Sequence, residues 1–334
     1  MNTLFCAFLK VIFFVSIWLG IFSCSNAQKL DKKTEEYISK TVEFYNNDNY
    51  DSAIYYSDKI LEKWPNNANV WLTKAKCLYF LNQEKEALIA LNKAIEINPS
   101  NLESYQYRAT IYNFSGEHER AIVDYDFYLK KHPTDERSLA GKAKSHRRLK
   151  QYEESIEAYD ALLQFDLESY VRVLYLTGRA SVYMDLKDYD RAEEDVQTAL
   201  EINVKPDLPL SVRTEILLKK EDYQNALIVA KEVLELTKKY EDKELRKELT
   251  IYSQGYIGYL KHKTGNTEEG LKEVMASLEA MPTNSYVYKY LALISFDLGK
   301  KEEGCQHIEK ALELGFTKMF GSEMEELKQE KCGN

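Results

Sequence analysis

Small and bulky apolar residues recur along the chain with the spacing of paired amphipathic helices. In residues 68–101, Trp71, Ala75 and Leu78 follow one another at intervals of four and three, which places them on one helix face. A second apolar set with the same intervals occupies residues 87–94, after a short polar stretch. The pattern predicts two antiparallel helices that meet through small side chains.

The prolines give the length of this unit. Pro65, Pro99 and Pro133 recur every 34 residues, and each follows an apolar helix pattern. Proline ends helices because it lacks the backbone N–H donor and its ring clashes with the preceding turn. The small residues recur at Ala109 and Ala121 in the segment that closes at Pro133. Repeats of 34 residues are typical of helix–turn–helix arrays.

Weaker copies of the pattern precede and follow these two segments. An offset of about three extra residues occurs near residues 167–170. The positions that mark the weaker copies are Tyr37, Phe44 and Ala53 in the first, Ala143 and Tyr159 in the fourth, Ala180 and Ala192 in the fifth, Tyr223 and Ala226 in the sixth, Gly258 and Gly270 in the seventh, and Ala292 and Ala311 in the eighth.

Over roughly residues 34–316 the chain resembles the tetratricopeptide repeat family. The resemblance implies an all-α fold, a right-handed superhelix of about eight helix–turn–helix repeats with a concave groove lined mainly by the first helix of each repeat. We accordingly expect repeats 1–4 in residues 34–169 and degenerate repeats 5–8 in residues 170–316. Residues 317–334 should hold a C-terminal capping helix, about Ser322 to Lys331, because solenoids need a polar-faced end.

The N-terminus has the pattern of an export signal. Residues 11–23 carry no charge, and a stretch of that length suits a signal peptide but falls short of a membrane-spanning helix. We predict a signal peptide in residues 1–23 and a short linker in residues 24–33. The letters IFSC that end at Cys24 resemble a bacterial lipobox, which predicts lipidation of Cys24. Ordinary cleavage before Gln28 is the alternative.

Composition narrows the function classes. The net charge of −9 and the sequence pI near 5.3 disfavour nucleic acid as a general partner, because phosphate binding needs a basic face. The sequence contains no P-loop, GxSxG, HExxH or CxxC motif, and its five histidines are scattered. We therefore predict a protein that is not an enzyme and that needs no cofactor or metal.

The family geometry predicts which side chains line the groove. Aromatic residues and arginine are enriched at protein-recognition hot spots, and arginine can bind a carboxylate with two hydrogen bonds. Arg147 and Arg148 are therefore a candidate seat for an acidic segment, although they could instead be a solvated helix face paired with Glu153 or Glu154. The predicted groove residues are Tyr45, Lys76, Tyr79, Phe80, Asn113, Phe114, Lys144, Arg147 and Arg148.

Two cysteines near the C-terminus are candidates for a disulfide. Cys305 falls near the start of the last repeat's second helix, and Cys332 falls at the end of the predicted capping helix. Consecutive antiparallel helices bring these ends together, and an oxidising compartment would let the thiols pair. Two free thiols are the alternative. Cys77, between Ala75 and Leu78, is expected to be buried.

Together these patterns predict an exported scaffold of the cell envelope, lipid-anchored in the outer membrane and facing the periplasm or the exterior. It would bind a protein or peptide partner in the groove and perform no catalysis. Two alternatives remain open: an envelope receptor for glycans or small molecules, and a lipoprotein that assists outer-membrane protein assembly.

Overall fold

The computed structural model describes residues 31–317 and 321–333. The predicted signal peptide, Cys24 and Gln28 lie outside the described residues. All regular structure within these ranges is α-helical, and the helices follow one another as eight pairs and a final single helix. The predicted all-α fold of eight helix–turn–helix repeats with a C-terminal helix is confirmed.

The helices are numbered in chain order, so that odd numbers up to fifteen mark the first helix of a repeat. They are α1 (Lys32–Asn46), α2 (Tyr50–Lys63), α3 (Ala68–Phe80), α4 (Glu84–Ile97), α5 (Leu102–Ser115), α6 (His118–Leu129), α7 (Glu136–Arg148), α8 (Tyr152–Leu163), α9 (Ser169–Asp185), α10 (Tyr189–Ile202), α11 (Asp207–Lys219), α12 (Tyr223–Thr237), α13 (Lys243–Lys263), α14 (Thr267–Ala280), α15 (Ser285–Asp297), α16 (Lys301–Glu313) and α17 (Glu323–Lys331). Helix α1 begins inside the predicted linker of residues 24–33.

Polar caps start the first helices of repeats two to four at the same point of each period. The side-chain oxygens of Asn67, Asn101 and Asp135 accept hydrogen bonds from backbone N–H groups three residues later, at 3.1, 3.3 and 2.8 Å. Such caps satisfy donors that the first helical turn leaves open, and each stabilises its helix by about 1 kcal/mol. The 34-residue period is therefore set by capping as well as by apolar packing.

Side-chain to backbone bonds close two of the repeats. The indole Nε1 of Trp71 donates to the carbonyl of Pro65 at 2.8 Å, and the hydroxyl of Tyr105 donates to the carbonyl of Pro99 at 3.2 Å. Each ring therefore fixes the turn that leads into its own repeat. The same slot holds Leu139 in the fourth repeat, which has no polar atom to make this bond.

Close helix contacts explain the small residues of the pattern. Ala109 is fully buried against Tyr112, Ala121 and Tyr125, as expected. In the seventh repeat a Cβ atom added to Gly258 would lie 2.6 Å from the carbonyl oxygen of a glycine on the facing helix α14. Because real Cβ contacts are not that short, glycine is required where α13 and α14 cross.

The chain divides into two compact units. Unit 1 ends at Ser145 and unit 2 begins at His146, within α7, whereas the sequence pattern placed the division of the repeats at residues 169 and 170. In both units the first helices of neighbouring repeats touch one another, as α3 touches α5 and α13 touches α15. We call the surface that these helices form the first-helix face of each unit.

Candidate functional site

Two phenylalanines stand out on the first-helix face of unit 1. Phe80 ends α3 and Phe114 lies one residue before the end of α5, at equivalent positions 34 residues apart. Their exposed fractions are 43% and 62%. Exposed large apolar side chains that recur at one repeat position favour a binding role, because a partner can bury several of them together.

Phe80 lies at the edge of a group of aromatic rings. Its ring stacks on Tyr50 with centroids 5.0 Å apart, and it contacts Tyr79 at 5.5 Å and Tyr45 at 6.3 Å. Tyr107 extends the group through an edge contact of 6.0 Å with Tyr79. Burial raises the pKa of Tyr107 to about 12, so these phenols are neutral at physiological pH. We call this group the aromatic cluster; the structure brings the predicted residues Tyr45, Tyr79 and Phe80 together in it.

Lys76 does not offer a charge to a partner, in contrast to its predicted place in the groove. Its side chain is buried, with 3% exposed, and its ammonium pairs with Glu103. The same ammonium lies 5.1 Å from the centre of the Tyr107 ring. Its charge is therefore compensated within unit 1, and its contribution is to hold α3 against α5.

Asn113 and Lys144 differ in their availability. The Asn113 amide donates to the carbonyl oxygen of Gly141 at 3.2 Å, and its side-chain oxygen lies 3.2 Å from Nδ1 of His118. These bonds connect the third repeat to the fourth. Lys144, on α7, is exposed, so of the two predicted lysines of unit 1 it is the one that solvent reaches.

Arg147 and Arg148 belong to unit 2 and have neighbours there. Nε of Arg147 donates to Asp185 at 2.6 Å, so the alternative pairing with Glu153 or Glu154 is not what the structure shows. A Cβ atom added to Gly321 would lie 2.8 Å from Nη1 of Arg148. The C-terminal segment of the chain therefore runs beside the Arg148 guanidinium.

The C-terminal helix supplies carboxylates to basic residues of three other repeats. Glu326 pairs with Lys150 at 2.7 Å, after the first helix of repeat four. Glu323 pairs with Lys289 of α15 at 2.6 Å and lies 3.7 Å from Lys219 at the end of α11. Sequence reasoning missed these contacts, and the only signal for them was the run of glutamates in α17.

Lys289 is the most buried cation of this set. Its exposed fraction is 8%, and its ammonium also lies 5.0 Å from the centre of the Tyr286 ring. Although burial raises the pKa of the Glu323 carboxyl, the charges of Lys289 and Lys219 bring that pKa below its ordinary value. The ion pair is therefore ionised at neutral pH, as a buried lysine requires.

Apolar packing and a disulfide hold α17 in the same place. Met324 is fully buried among Ala292, Ile308 and other side chains of the last repeat. The sulfur atoms of Cys305 and Cys332, the pair proposed from the sequence, are joined in the structure at 2.00 Å. The predicted capping helix thus covers the end of the last repeat and also reaches back along unit 2.

Neither metal nor membrane chemistry is visible in the described part of the chain. Residues 31–317 and 321–333 contain no group of three histidine, cysteine, aspartate or glutamate side chains placed to hold a metal ion. Across the same residues, each helix is too short or too polar to span a bilayer.

Comparison with known proteins identifies the repeats. Two family models, both described as tetratricopeptide repeat, match residues 45–109, 108–170 and 141–204. A search of curated protein sequences finds no match.

Solved structures show the same fold. A tetratricopeptide repeat protein from Parabacteroides merdae is 18% identical, with a TM-score of 0.52, and the match covers 90% of this chain and all of that one. The MamA protein of Desulfovibrio magneticus is 14% identical, with a TM-score of 0.49, over 52% of this chain and 96% of MamA. The Cut9–Hcn1 complex gives 16%, 0.47, 90% and 64% for the same quantities.

Proposed function

We propose that this chain, which belongs to the tetratricopeptide repeat family, is a non-catalytic scaffold of the cell envelope that binds a segment of a partner protein. The repeats imply protein–protein interaction as the general function. The binding surface in our proposal is the first-helix face of unit 1, with the aromatic cluster and Phe114 as its apolar part.

The observation that carries the proposal is the exposure of Phe80 and Phe114 at equivalent positions of α3 and α5. A rigid aromatic ring gains a large contact area for little loss of side-chain entropy, which is why aromatic residues dominate binding hot spots. Two such rings on neighbouring repeats favour a partner segment long enough to contact both.

The charges nearby suggest which partner segment fits. Lys144 is exposed on α7, and the guanidinium of Arg137, also on α7, lies 5.6 Å from the centre of the Tyr107 ring. Cations beside apolar anchors favour a segment that carries apolar side chains together with a carboxylate. An extended or helical peptide of this kind is the ligand that we expect.

The location at the envelope rests on the N-terminal sequence. Thirteen uncharged residues before Cys24 favour export and lipidation. The test is the intact mass of the protein purified from the membrane fraction of its own cells. We expect an acylated N-terminal cysteine, and a mature chain that begins at Gln28 would contradict lipidation.

Partner binding can be tested with variants of matched chemistry. Phe80→Ala and Phe114→Ala remove the exposed rings, while Ile89→Ala and Val123→Ala remove apolar side chains that are each 67% exposed on the second helices of the same repeats. Proteins captured from the organism's own membranes are compared by quantitative mass spectrometry, with helical circular dichroism as the folding control.

We expect the phenylalanine variants to lose a partner that the parent protein and both control variants retain. Losses of about tenfold or more in captured partner per ring are typical of a hot spot. Retention of every partner by both phenylalanine variants would contradict the proposal. Loss of the same partner from the isoleucine or valine variant would move the binding surface to the second helices.

A glycan receptor is the alternative that the exposed rings also favour, because sugar rings stack on aromatic faces. A saccharide array separates the two functions. Saccharide binding that Phe80→Ala abolishes, without a protein partner that depends on Phe80, would replace the scaffold proposal with this one.

A further inference from the structure

We propose that the first-helix face of unit 2 is a binding site for acidic amphipathic helices, and that α17 is its intramolecular occupant. This inference goes beyond the function proposed above, because it concerns a second surface with a different chemistry. The partner that would replace α17 is a helix with two carboxylates three residues apart and an apolar side chain beside the first.

The contacts of α17 define this recognition pattern. Glu323 and Glu326 lie three residues apart and therefore share one face of the helix. Glu326 reaches Lys150 at 2.7 Å and Glu323 reaches Lys289 at 2.6 Å. These basic residues come from repeats four and eight, so one short helix reads charges that are distant in the sequence.

The two ion pairs differ in weight. The side chains of Lys150 and Glu326 are both more than half exposed, and exposed pairs contribute little. Lys289 is nearly buried, and removing its counter-ion would leave a desolvated ammonium. The structure therefore demands a carboxylate next to Lys289, which makes this residue the determinant of specificity for an acidic ligand.

Met324 adds an apolar anchor beside the first carboxylate. Its side chain is fully buried against Ala292, Ile308, Ala311 and Phe316 of the last repeat. An apolar residue inserted into a preformed pocket, next to a buried ion pair, is the arrangement of a binding hot spot. Residues 323–326 together form the sequence pattern Glu–apolar–x–Glu.

A covalent tether keeps this occupant in place. The Cys305–Cys332 disulfide joins the end of α17 to α16, and Lys328 pairs with Glu309 of α16 at 3.2 Å. A tethered segment competes with external ligands at an effective concentration of the order of millimolar. An external acidic helix should therefore bind only weakly while α17 is seated.

The test uses the full chain in an open form and a peptide probe. The open variant combines Cys305→Ser, Cys332→Ser, Glu323→Gln and Glu326→Gln, which remove the tether and both carboxylates but keep the shape of the side chains. The probe is a fluorescent peptide of residues 321–331, GSEMEELKQEK, and its binding is followed by fluorescence anisotropy.

We expect hydrogen exchange in α17 to be faster in the open variant, and the peptide to bind that variant at least about tenfold more tightly than the parent chain. A peptide with glutamine at the two glutamate positions should bind about tenfold more weakly than the acidic peptide. Added Lys150→Glu and Lys219→Glu, on side chains that are about half exposed or more, should weaken peptide binding again.

Lys272→Glu, an exposed lysine on α14, is the matched control and should leave peptide binding unchanged. Unchanged exchange in α17 would show that the carboxylates and the tether do not hold the helix, and would overturn the proposal. So would equal binding of the acidic and the neutral peptide. Phe80→Ala should bind the peptide as its parent does, so a failure here is distinct from a failure of the scaffold proposal.

Discussion

Units 1 and 2 are built from the same repeat but present their first-helix faces differently. In unit 1 this face carries two exposed phenylalanines, Phe80 and Phe114. In unit 2 the equivalent position of repeat four is Arg148, which lies beside the chain's own C-terminal segment, and Lys289 is paired with Glu323. One face is therefore available to an external ligand, while the other already holds a ligand from the same chain.

The difference shows that repeat geometry alone does not determine what a repeat array binds. The helix pairs of both units follow one pattern of small and bulky positions, which specifies packing between helices. The residues that specify binding are those that the packing leaves over. In unit 1 these are aromatic, and in unit 2 they are basic, so the two faces select apolar and acidic segments respectively.

The largest expected effect comes from removing the tether in unit 2. A disulfide that spans 27 residues stabilises the folded state by about 3–4 kcal/mol on the chain-entropy model. We expect Cys305→Ser with Cys332→Ser to increase hydrogen exchange in α16 and α17, while exchange in α3 and α5 of unit 1 stays unchanged. Equal destabilisation of both units would break the comparison. Peptide mapping without reductant should recover the crosslinked pair.

A change in the core of unit 1 should have the next largest effect. Ala109 is fully buried against Tyr112, Ala121 and Tyr125, so Ala109→Trp forces an indole into a close helix contact. Overpacking of this kind costs about 1–3 kcal/mol. Urea unfolding followed by hydrogen exchange should show the loss in α5 and α6 first. A midpoint equal to that of the wild type would mean that the assignment of Ala109 to the helix contact is wrong.

Much of the fold could be predicted because the features that specify it are local. The prolines, the small residues and the caps recur within each 34-residue period, and even the weak sixth repeat was visible from Tyr223 and Ala226. The offset near residues 167–170 corresponds to the loop before α9. These signals depend on neighbours in the sequence, so periodicity detects them.

The candidate sites were harder to predict because they depend on distant partners. Lys76 has the spacing of a groove residue, yet Glu103 of the next repeat neutralises it. The position of α17 is set by an ion pair between Lys150 and Glu326, which are 176 residues apart. The amphipathic pattern of a nine-residue helix shows that the helix exists, but it does not show which charges the helix meets.

A methyl group at the crossing of α13 and α14 should destabilise unit 2 to a smaller extent. Gly258→Ala would place Cβ 2.6 Å from the carbonyl oxygen of Gly270, so the two helices must move apart. We expect a cost of about 1 kcal/mol, at the lower end for overpacking, measured by urea unfolding. Hydrogen exchange should place the loss in α13 to α15. Exchange that increases in α3 and α5 instead would contradict the independence of the two units.

The smallest expected effect concerns a carboxyl group on the first-helix face of unit 2. Burial raises the pKa of Glu215 on α11, although the charges of Lys289 and Arg147 oppose this and Glu323 reinforces it. A raised pKa means that the group's stabilising contribution is present below its unfolded pKa and is lost as the pH rises through its folded pKa. Glu215→Gln should therefore raise the melting temperature slightly at neutral pH.

The same variant should match the wild type at acid pH, where Glu215 is protonated in both states. The gain at neutral pH should be about 1 kcal/mol or less, since one pKa unit corresponds to about 1.4 kcal/mol. Glu323, whose pKa is lowered, has the opposite sign, and Glu323→Gln should cost stability at neutral pH and lose that cost as the pH falls. Stability curves with the two signs exchanged would refute the charge assignments around α17.

Hydroxyl-radical footprinting of the full-length protein tests the contrast between the two faces most directly, because it compares residues of the same type. Met324 is fully buried and Met275 is 45% exposed within unit 2, while Phe316 is fully buried and Phe114 is 62% exposed. We predict slow oxidation of Met324 and Phe316, and fast oxidation of Met275, Phe80 and Phe114. Oxidation of Met324 as fast as that of Met275, in the disulfide-bonded protein, would contradict an occupied first-helix face in unit 2.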